Sequence, residues 1–364
     1  MRGNHPESRN RLVSIIIVNY NAGLILHEAV TAALSSSIPV EVLISDNGST
    51  DDSLNTVYKA FGKDQRVHII SNGSNLGFSR ANNIALKQAK GQYILLLNPD
   101  CIIKPDTLAQ LSDLLDSNPD TGMVGCLIRN PDGSEQAGCR RALPTPWRAF
   151  VRVLHLNKLF PRLPRFQTFL MHQEQLPIEP EFVEAISGAF MLVRRYAIDE
   201  VGFLDEAYFM HCEDIDWCLR FQQARWKILF VPNVEVLHYK GACSKDQPIR
   251  VLYHMHRGMI RFYRKFFRKQ YPLPLMAIVT GAVWARLTLL ASTELITRLF
   301  SSKKHRYKAG SDKSLFIERR KSVPFIPYIG PERRIKDETN NYMDSRKTTA
   351  IHDIKAIHDQ SKHQ

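Results

Sequence analysis

The chain has 364 residues, 44% of them hydrophobic and 23% charged, the profile of an ordinary globular protein with one large domain or two smaller ones. Its net charge of +13 sits in three flanking pieces, 140–165, 250–269 and everything from 303 onward, each with a net of +7, which leaves −8 for the remainder. An acidic remainder without a basic–aromatic sheet pattern speaks against a nucleic-acid groove, and six cysteines (101, 126, 139, 212, 218 and 243) without a CxxC pair predict free thiols in a reducing compartment.

Residues 1–10 are polar and basic, so the start is expected to be disordered and to carry no secretory signal. Residues 12–18, LVSIIIV, form a β-branched run suited to a buried parallel strand. A helix over about 24–36 follows, then a strand at 40–45 and the turn DNGSTDD, where Ser49 or Thr50 can cap a helix running to about Phe61. A third strand at 66–71, a third helix at 78–90 ended by Gly91, and a fourth strand at 93–98 continue the alternation. Strands alternating with helices imply right-handed crossovers and a doubly wound, mostly parallel α/β sheet. Ligands of such sheets gather at the carboxyl ends of the strands; Tyr20, Asp46 and Asp100 fall there, one after each of three strands.

Beyond a helix at 105–117, a strand at 122–129 leads into the turn NPDGS. Residues 140–180, rich in proline and basic side chains, predict a mobile loop with short helical pieces. The stretch 182–195 returns to strand character, with Gly188 where a backbone could approach a ligand closely. EDIDWCLRFQQA reads as a helix, and WKILFVP and VEVLHY as two closing strands. The segment 303–364 lacks sustained periodicity and is expected to be a loose basic tail.

The chemistry-bearing residues each have a plain structural alternative. Asp46 can accept the imide N–H of a base or ribose hydroxyls, or simply close an Asx turn. Asn98-Pro99-Asp100 ends a strand, where proline stops the ladder and Asp100 projects; a hard divalent cation binds through such carboxylates plus phosphates. His238 is a metal ligand only if it converges with Asp100, and otherwise a packed histidine. In EDIDWCLR, Glu213 and Asp216 are three apart and share a helical face, with Asp214 turned about 100° away. Asp216 and Arg220 are four apart, a natural salt bridge. Glu213 and Asp214 lack such a partner and start the helix, where the dipole favours an ionised carboxylate fit to act as a general base.

Seven stretches in order, VSIIIVNYN, LISDNGSTDDS, NLGFSRANNIAL, YILLLNPD, SGAFMLVRR, FMHCEDIDWCLR and VLHYKGACS, resemble an inverting, GT-A-fold glycosyltransferase of family 2. The NLGF, LNPD, NPDGS and EDIDWCLR wording resembles the rhamnosyltransferase-like branch most closely. The resemblance covers about 12–245, so a GT-A domain is expected over 11–245. It implies a nucleotide-sugar donor, with L-rhamnose from dTDP-rhamnose as the expected sugar, an Mg²⁺ or Mn²⁺ cofactor, and a polyprenyl-diphosphate-linked saccharide acceptor in cell-surface polysaccharide assembly. By the same resemblance Asp46 would hold the base, with Val18 and Tyr20 lining it and Arg80 nearby. Asp100 matches the last Asp of the DxD metal element, and His238 a histidine joining that metal in some relatives. Asp214 matches the catalytic base, Glu213 its neighbour that orients acceptor hydroxyls, and Gly188 would lie under the acceptor. Asn98 stands where the first Asp of DxD is usual; an amide oxygen is a neutral, weaker ligand, so Asp100 and the phosphates are expected to carry most of the coordination. The alternatives are another UDP-, dTDP- or GDP-sugar, a soluble acceptor, or a non-catalytic nucleotide-sugar-binding module.

On a helical wheel Arg257, Arg261, Arg264 and Arg268 share one face, and Phe262, Tyr263, Phe266 and Phe267 the other. This pattern over 246–302 predicts a helix lying in an anionic membrane interface. The apolar run that follows is interrupted by Arg286 and Glu294, and 275–285 falls short of the ~20 residues of a span. In-plane, peripheral attachment at the cytoplasmic face of the inner membrane is therefore expected, with a core helix pair as the alternative.

Overall fold

The structure, a computed structural model, describes residues 11–153, 156–160, 163–166, 169–239, 241 and 248–309. Cys243, the start over 1–10 and the tail beyond 309 lie outside the described residues. The first half alternates as its sequence predicts: β1 (Val13–Asn19), α1 (Ile25–Leu34), β2 (Val40–Asp46), α2 (Ser53–Phe61), β3 (Val67–Ser71), α3 (Phe78–Leu86), β4 (Tyr93–Leu97), a short β5 (Cys101–Ile102), α4 (Thr107–Ser117) and β6 (Thr121–Arg129). The stretch 140–180 holds β7 (Arg140–Arg141) and the short helices α5 (Pro146–Val153) and α6 (Leu156–Leu159). Then come β8 (Glu181–Phe182), β9 (Ala185–Ile186), β10 (Phe190–Arg194), α7 (Arg195–Val201), α8 (Glu213–Gln223), β11 (Lys227–His238), α9 (Pro248–Phe266) and α10 (Leu273–Ala309).

The main sheet runs β3-β2-β1-β4-β10-β6-β11-β5, with β8 beside β11. β1, β2, β3 and β4 pair in parallel, and β6 with β11, while β10 runs antiparallel between β4 and β6. All seven residues of β1 are buried, as a central strand covered on both faces requires. Val13, Ile15 and Ile17 enter one apolar cluster with α1 and α4, and Ile16 enters the other with α3 and α8.

Three expectations change. WKILFVP and VEVLHY form one strand, β11, whose register slips between Val231 and Glu235; Pro232 cannot donate to the ladder, and a bulge absorbs it. The strand over 182–195 is broken into β8, β9 and β10, with Ser187–Ala189 as a connector. The third change concerns α9. Its Phe262, Tyr263 and Phe267 are buried in the cluster that contains Trp217 and Phe221 of α8. On its basic side Arg261 pairs with Asp205, and Lys265 with both Asp205 and Asp216. The aromatic face expected in a membrane therefore packs on the body of the protein, because it matches an apolar surface already there. The described residues up to Ser301 form one compact unit.

Candidate active site

Topology brings one group of residues to a single edge of the sheet. Asn19 at the end of β1 lies in register with Asp46 at the end of β2, and Asn98 to Asp100 follow β4, on the other side of β1. Because β5 runs antiparallel to β11 with Cys101 opposite His238, a histidine 138 positions away in the chain reaches Asp100.

The Asp46 loop is internally saturated. One carboxylate oxygen accepts from Asn19 Nδ2 (2.9 Å) and Ser49 Oγ (2.6 Å), the other from the N–H groups of Gly48 and Ser49 (3.1 Å each). Asn21, in the left-handed region at φ 53°, uses its side-chain oxygen to accept from Thr50 N–H (2.7 Å), and Gly23 N–H donates to Asp51 (2.8 Å). Gly48 has φ +74°, and a Cβ there would stand 2.9 Å from the Ser74 Cα, so the β2 and β3 loops meet backbone to backbone. Asp46 thus closes an Asx turn whose four lone-pair directions are all taken. Val18 is buried and Tyr20 half-buried beside this loop. Arg80 turns elsewhere, its Nε 4.0 Å from Glu206.

At the second corner Asp100 Oδ1 lies 3.0 Å from His238 Nε2, and both side chains are buried. His238 Nδ1 lies 2.7 Å from Gln136 Oε1, and Gln136 donates its own amide to Asn130 (2.9 Å), which fixes the glutamine with its oxygen toward the imidazole. With Nδ1–H given to Gln136, the Nε2 lone pair faces Asp100, where a cation could sit between the two. Asn98 Nδ2 is 3.3 Å from the same nitrogen. A carboxylate and an imidazole nitrogen around one point, with the histidine held by a further hydrogen bond, could give a hard divalent cation two ligands and leave other positions for phosphate; among the described residues no third His, Cys, Asp or Glu joins them.

The third corner is the start of α8. His211 and Cys212 both have positive φ, 65° and 72°, a strained pair for residues with side chains. It turns the chain so that Glu213 and Asp214 begin the helix. Gly258 of α9 presses on this turn: a Cβ on it would lie 2.8 Å from the His211 oxygen. Asp214 is clamped by Arg141, with further bonds from Gly188 N–H (3.2 Å) and Ile215 N–H (2.8 Å). Burial pushes its carboxyl up, but the Arg141 guanidinium more than offsets this and holds it below the usual carboxylate range. Glu213 goes the opposite way. Burial first, and then the charge of Asp214, push its carboxyl well above the usual range, and one of its oxygens has no hydrogen-bond partner.

The rest of EDIDWCLR is structural. Asp216, fully buried, pairs with Arg220 (2.8 Å) and Lys265 (2.6 Å), and Trp217 is buried with its indole N–H on the Gly202 carbonyl (2.9 Å). A short connector joins the second and third corners. Gly188 donates to Asp214, while the next residue, Ala189, accepts from Asn98 N–H (3.0 Å). Gly188 itself packs on the carboxylate, since a Cβ there would meet Asp214 Cβ at 3.1 Å.

Sequence reading missed Arg141 and Gln136. Arg141 stands in a basic, proline-rich stretch read as a mobile, lipid-facing loop, yet Arg140 is buried against Glu135 and Glu181, and Arg148 pairs with Glu184. The available signal was electrostatic: three carboxylates within four positions need cations, and the acid-free stretch supplies one.

The comparisons agree with this architecture. The sequence model of glycosyl transferase family 2 matches residues 14–202. An N-acetylglucosaminyl-diphospho-decaprenol L-rhamnosyltransferase of Mycobacterium tuberculosis (strain ATCC 25618 / H37Rv) is 30% identical over 296 residues, covering 78% of this chain and 94% of that one. Rhamnosyltransferase WbbL of Escherichia coli (strain K12) is 32% identical over 175 residues, covering 46% of this chain and 62% of that one. Among solved structures, mannosyltransferase PcManGT from Pyrobaculum calidifontis, in complex with GDP-Man and Mn²⁺, has the same fold at a TM-score of 0.50 and 18% identity, covering 80% of this chain and 81% of that one. The family match and the near full-length likeness to a rhamnosyltransferase, on a mostly parallel sheet flanked by helices, make this chain a glycosyltransferase that belongs to glycosyl transferase family 2.

Proposed function

We propose that the protein moves L-rhamnose from dTDP-rhamnose onto a saccharide carried on polyprenyl diphosphate, inverting the anomeric carbon in one displacement. The observation that carries this reading is the Gly188–Ala189 connector, which ties Asp214 to the Asn98–Asp100 element. A base on one side and a diphosphate-holding element on the other is the arrangement that inversion needs. Asp214, ionised at neutral pH, takes the proton of the attacking hydroxyl. The bond from the anomeric carbon to the acceptor oxygen forms as the bond to the diphosphate oxygen breaks. Glu213, protonated by its surroundings, is placed to hydrogen-bond an acceptor hydroxyl. Val18 and Tyr20 flank the Asp46 loop as the seat of the base. When bound, Mg²⁺ or Mn²⁺ neutralises charge on the departing diphosphate; Asp100 and His238 would hold it, with Asn98 beside them.

The printed name of the M. tuberculosis relative includes a lipid diphosphate acceptor, which supports the same acceptor class here. Helix α10 supports a membrane setting: Leu273–Thr297 is long and apolar enough to cross a bilayer, and Ile278, Leu289 and Ile296 are exposed on it. Arg286, which interrupts the apolar run, is met by the buried His256 at 2.9 Å. Since Met276 and Val283 pack on the protein body, we read α10 as lying along the cytoplasmic face with its outer side in lipid.

A second reading has one observation in its favour. The raised carboxyl of Glu213 and its unpartnered oxygen suit a base titrating near neutrality. If Asp214 is the base, kcat shows no acid limb near neutrality, because its carboxyl is held below the usual carboxylate range; if Glu213 is the base, the limb follows a carboxyl pushed up to about 8. The deciding experiment for the whole proposal incubates the protein with dTDP-, UDP- and GDP-sugars, Mn²⁺ and a prenyl-diphosphate saccharide, with mass analysis of the lipid. A deoxyhexose increment from dTDP-rhamnose alone is the expected result. An increment from another sugar names a different donor, and none from any donor removes the catalytic reading.

A further inference from the structure

A cavity of about 160 Å³ lies between the Glu206–Phe209 loop and α9, lined by Glu206, Tyr208, Phe209, His254, Arg257 and Gly258. None of its side chains belongs to the three corners of the active site, yet its walls are continuous with one of them. Phe209 accepts the N–H of Phe78 at the start of α3 (2.6 Å), two positions before the left-handed pair His211 and Cys212 that leads into Glu213. Gly258 backs the His211 carbonyl and Cys212 on the same turn.

The polar character of the cavity is cationic. Arg257 makes no ion pair among the described residues and is exposed. His254 stacks on the Phe209 ring at 4.2 Å, and the Arg250 guanidinium sits over that ring at 5.3 Å. Glu206 supplies one carboxylate, but Asn83 donates to it (3.1 Å) and Arg80 stands 4.0 Å away, so its charge is met from α3. Burial, and then the nearby Arg250 and Arg257, push the His254 imidazolium down; an anion placed between His254 and Arg257 would meet one guanidinium and an imidazole that its charge would help to protonate.

The other side of the same part of α9 meets the apolar helix. Tyr253 and Trp284 approach at 6.3 Å between ring centroids, and His256 takes its hydrogen bond from Arg286. A ligand in this cavity would therefore have the base turn on one side and the exposed apolar helix near the other. We propose that His254 and Arg257 bind the diphosphate of the lipid-linked acceptor. The inference rests on the acceptor class proposed above. It adds the place where that acceptor's anionic group would sit, which leaves the saccharide toward Asp214 and the prenyl chain toward α10. Charge complementarity and continuity with both neighbours favour this occupant over a second protein.

The test measures binding, which needs no turnover. Full-length protein is titrated with farnesyl diphosphate and, in parallel, with farnesol. Wild type is expected to bind the diphosphate and discriminate against the alcohol. Arg257→Gln and His254→Gln are each expected to weaken diphosphate binding by about 10-fold, the scale of a lost charge-assisted hydrogen bond, with Arg257→Lys recovering part of the loss. Saturating dTDP should leave the diphosphate bound. Unchanged affinity in both glutamine variants, or displacement by dTDP, overturns the assignment, the latter by giving the cavity to the donor. Failure of the proposed activity would show separately, as absence of glycosylated lipid from wild type whose farnesyl diphosphate affinity still responds to these substitutions.

Discussion

Two carboxylate-bearing loops at the same sheet edge have opposite characters. At Asp46 every lone pair is used, and the left-handed positions around it fall on an asparagine and a glycine, Asn21 and Gly48. At Glu213 and Asp214 two non-glycine residues are left-handed, one carboxylate oxygen has no partner, and the two acids are driven apart in protonation. The first loop is closed on itself, and the second carries the acids to which the proposed function gives the chemistry. Placing a proton acceptor beside a neutral carboxyl needs burial and like charge, which cost stability; presenting a fixed seat for a base needs neither.

The contrast can be broken first at Asp214. Asp214→Asn should lower kcat by about 10²–10⁴-fold, the usual worth of a general base, while donor affinity measured by titration stays near wild type. Near-normal turnover would move the base elsewhere. At the other loop, Asp46→Ala should act on the fold. It removes the acceptor of the Gly48 and Ser49 N–H groups and one of the partners of the Asn19 amide, which keeps Ser53 Oγ at 2.9 Å, so a loss of about 2–3 kcal/mol in chemical denaturation is expected. A midpoint equal to wild type would show that the loop does not need its carboxylate.

Gln136→Leu sharpens the picture of the metal corner. Without its acceptor the His238 ring can turn or change tautomer, and Mn²⁺ affinity should fall by about 10–100-fold, read by calorimetry with donor diphosphate present. The smallest effect is expected at Glu213. Its folded carboxyl is raised above the ordinary 4.5, so the unfolded chain ionises first and wild-type stability falls as pH climbs from that value through the folded one. Glu213→Gln should remove this slope and raise stability at pH 7 to 8 by about 1 kcal/mol, while lowering turnover. A variant that melts earlier at pH 8 would contradict a protonated Glu213.

These loops also separate what the sequence made legible from what it did not. Period and turn chemistry gave the alternating strands and helices of the first half, because β1, β2 and β4 are buried along their whole length and each helix has an apolar stripe. They also gave Asp216 to structure, through its four-residue spacing to Arg220. Arg141 and Gln136 were out of reach, since their roles depend on which distant carboxylate or imidazole the sheet order delivers. The aromatic face of α9 was misassigned for a related reason. An amphipathic pattern says that a face is covered, without saying whether lipid or protein covers it.

The Ser187–Ala189 connector has one further consequence. One peptide N–H holds Asp214 and the neighbouring carbonyl holds Asn98, so on the proposed mechanism the gap across which the sugar travels would be set by a gauge a single residue wide. Evolution could exchange donor or acceptor by altering the surrounding walls, yet lengthening that gauge would spoil the in-line path for every substrate alike.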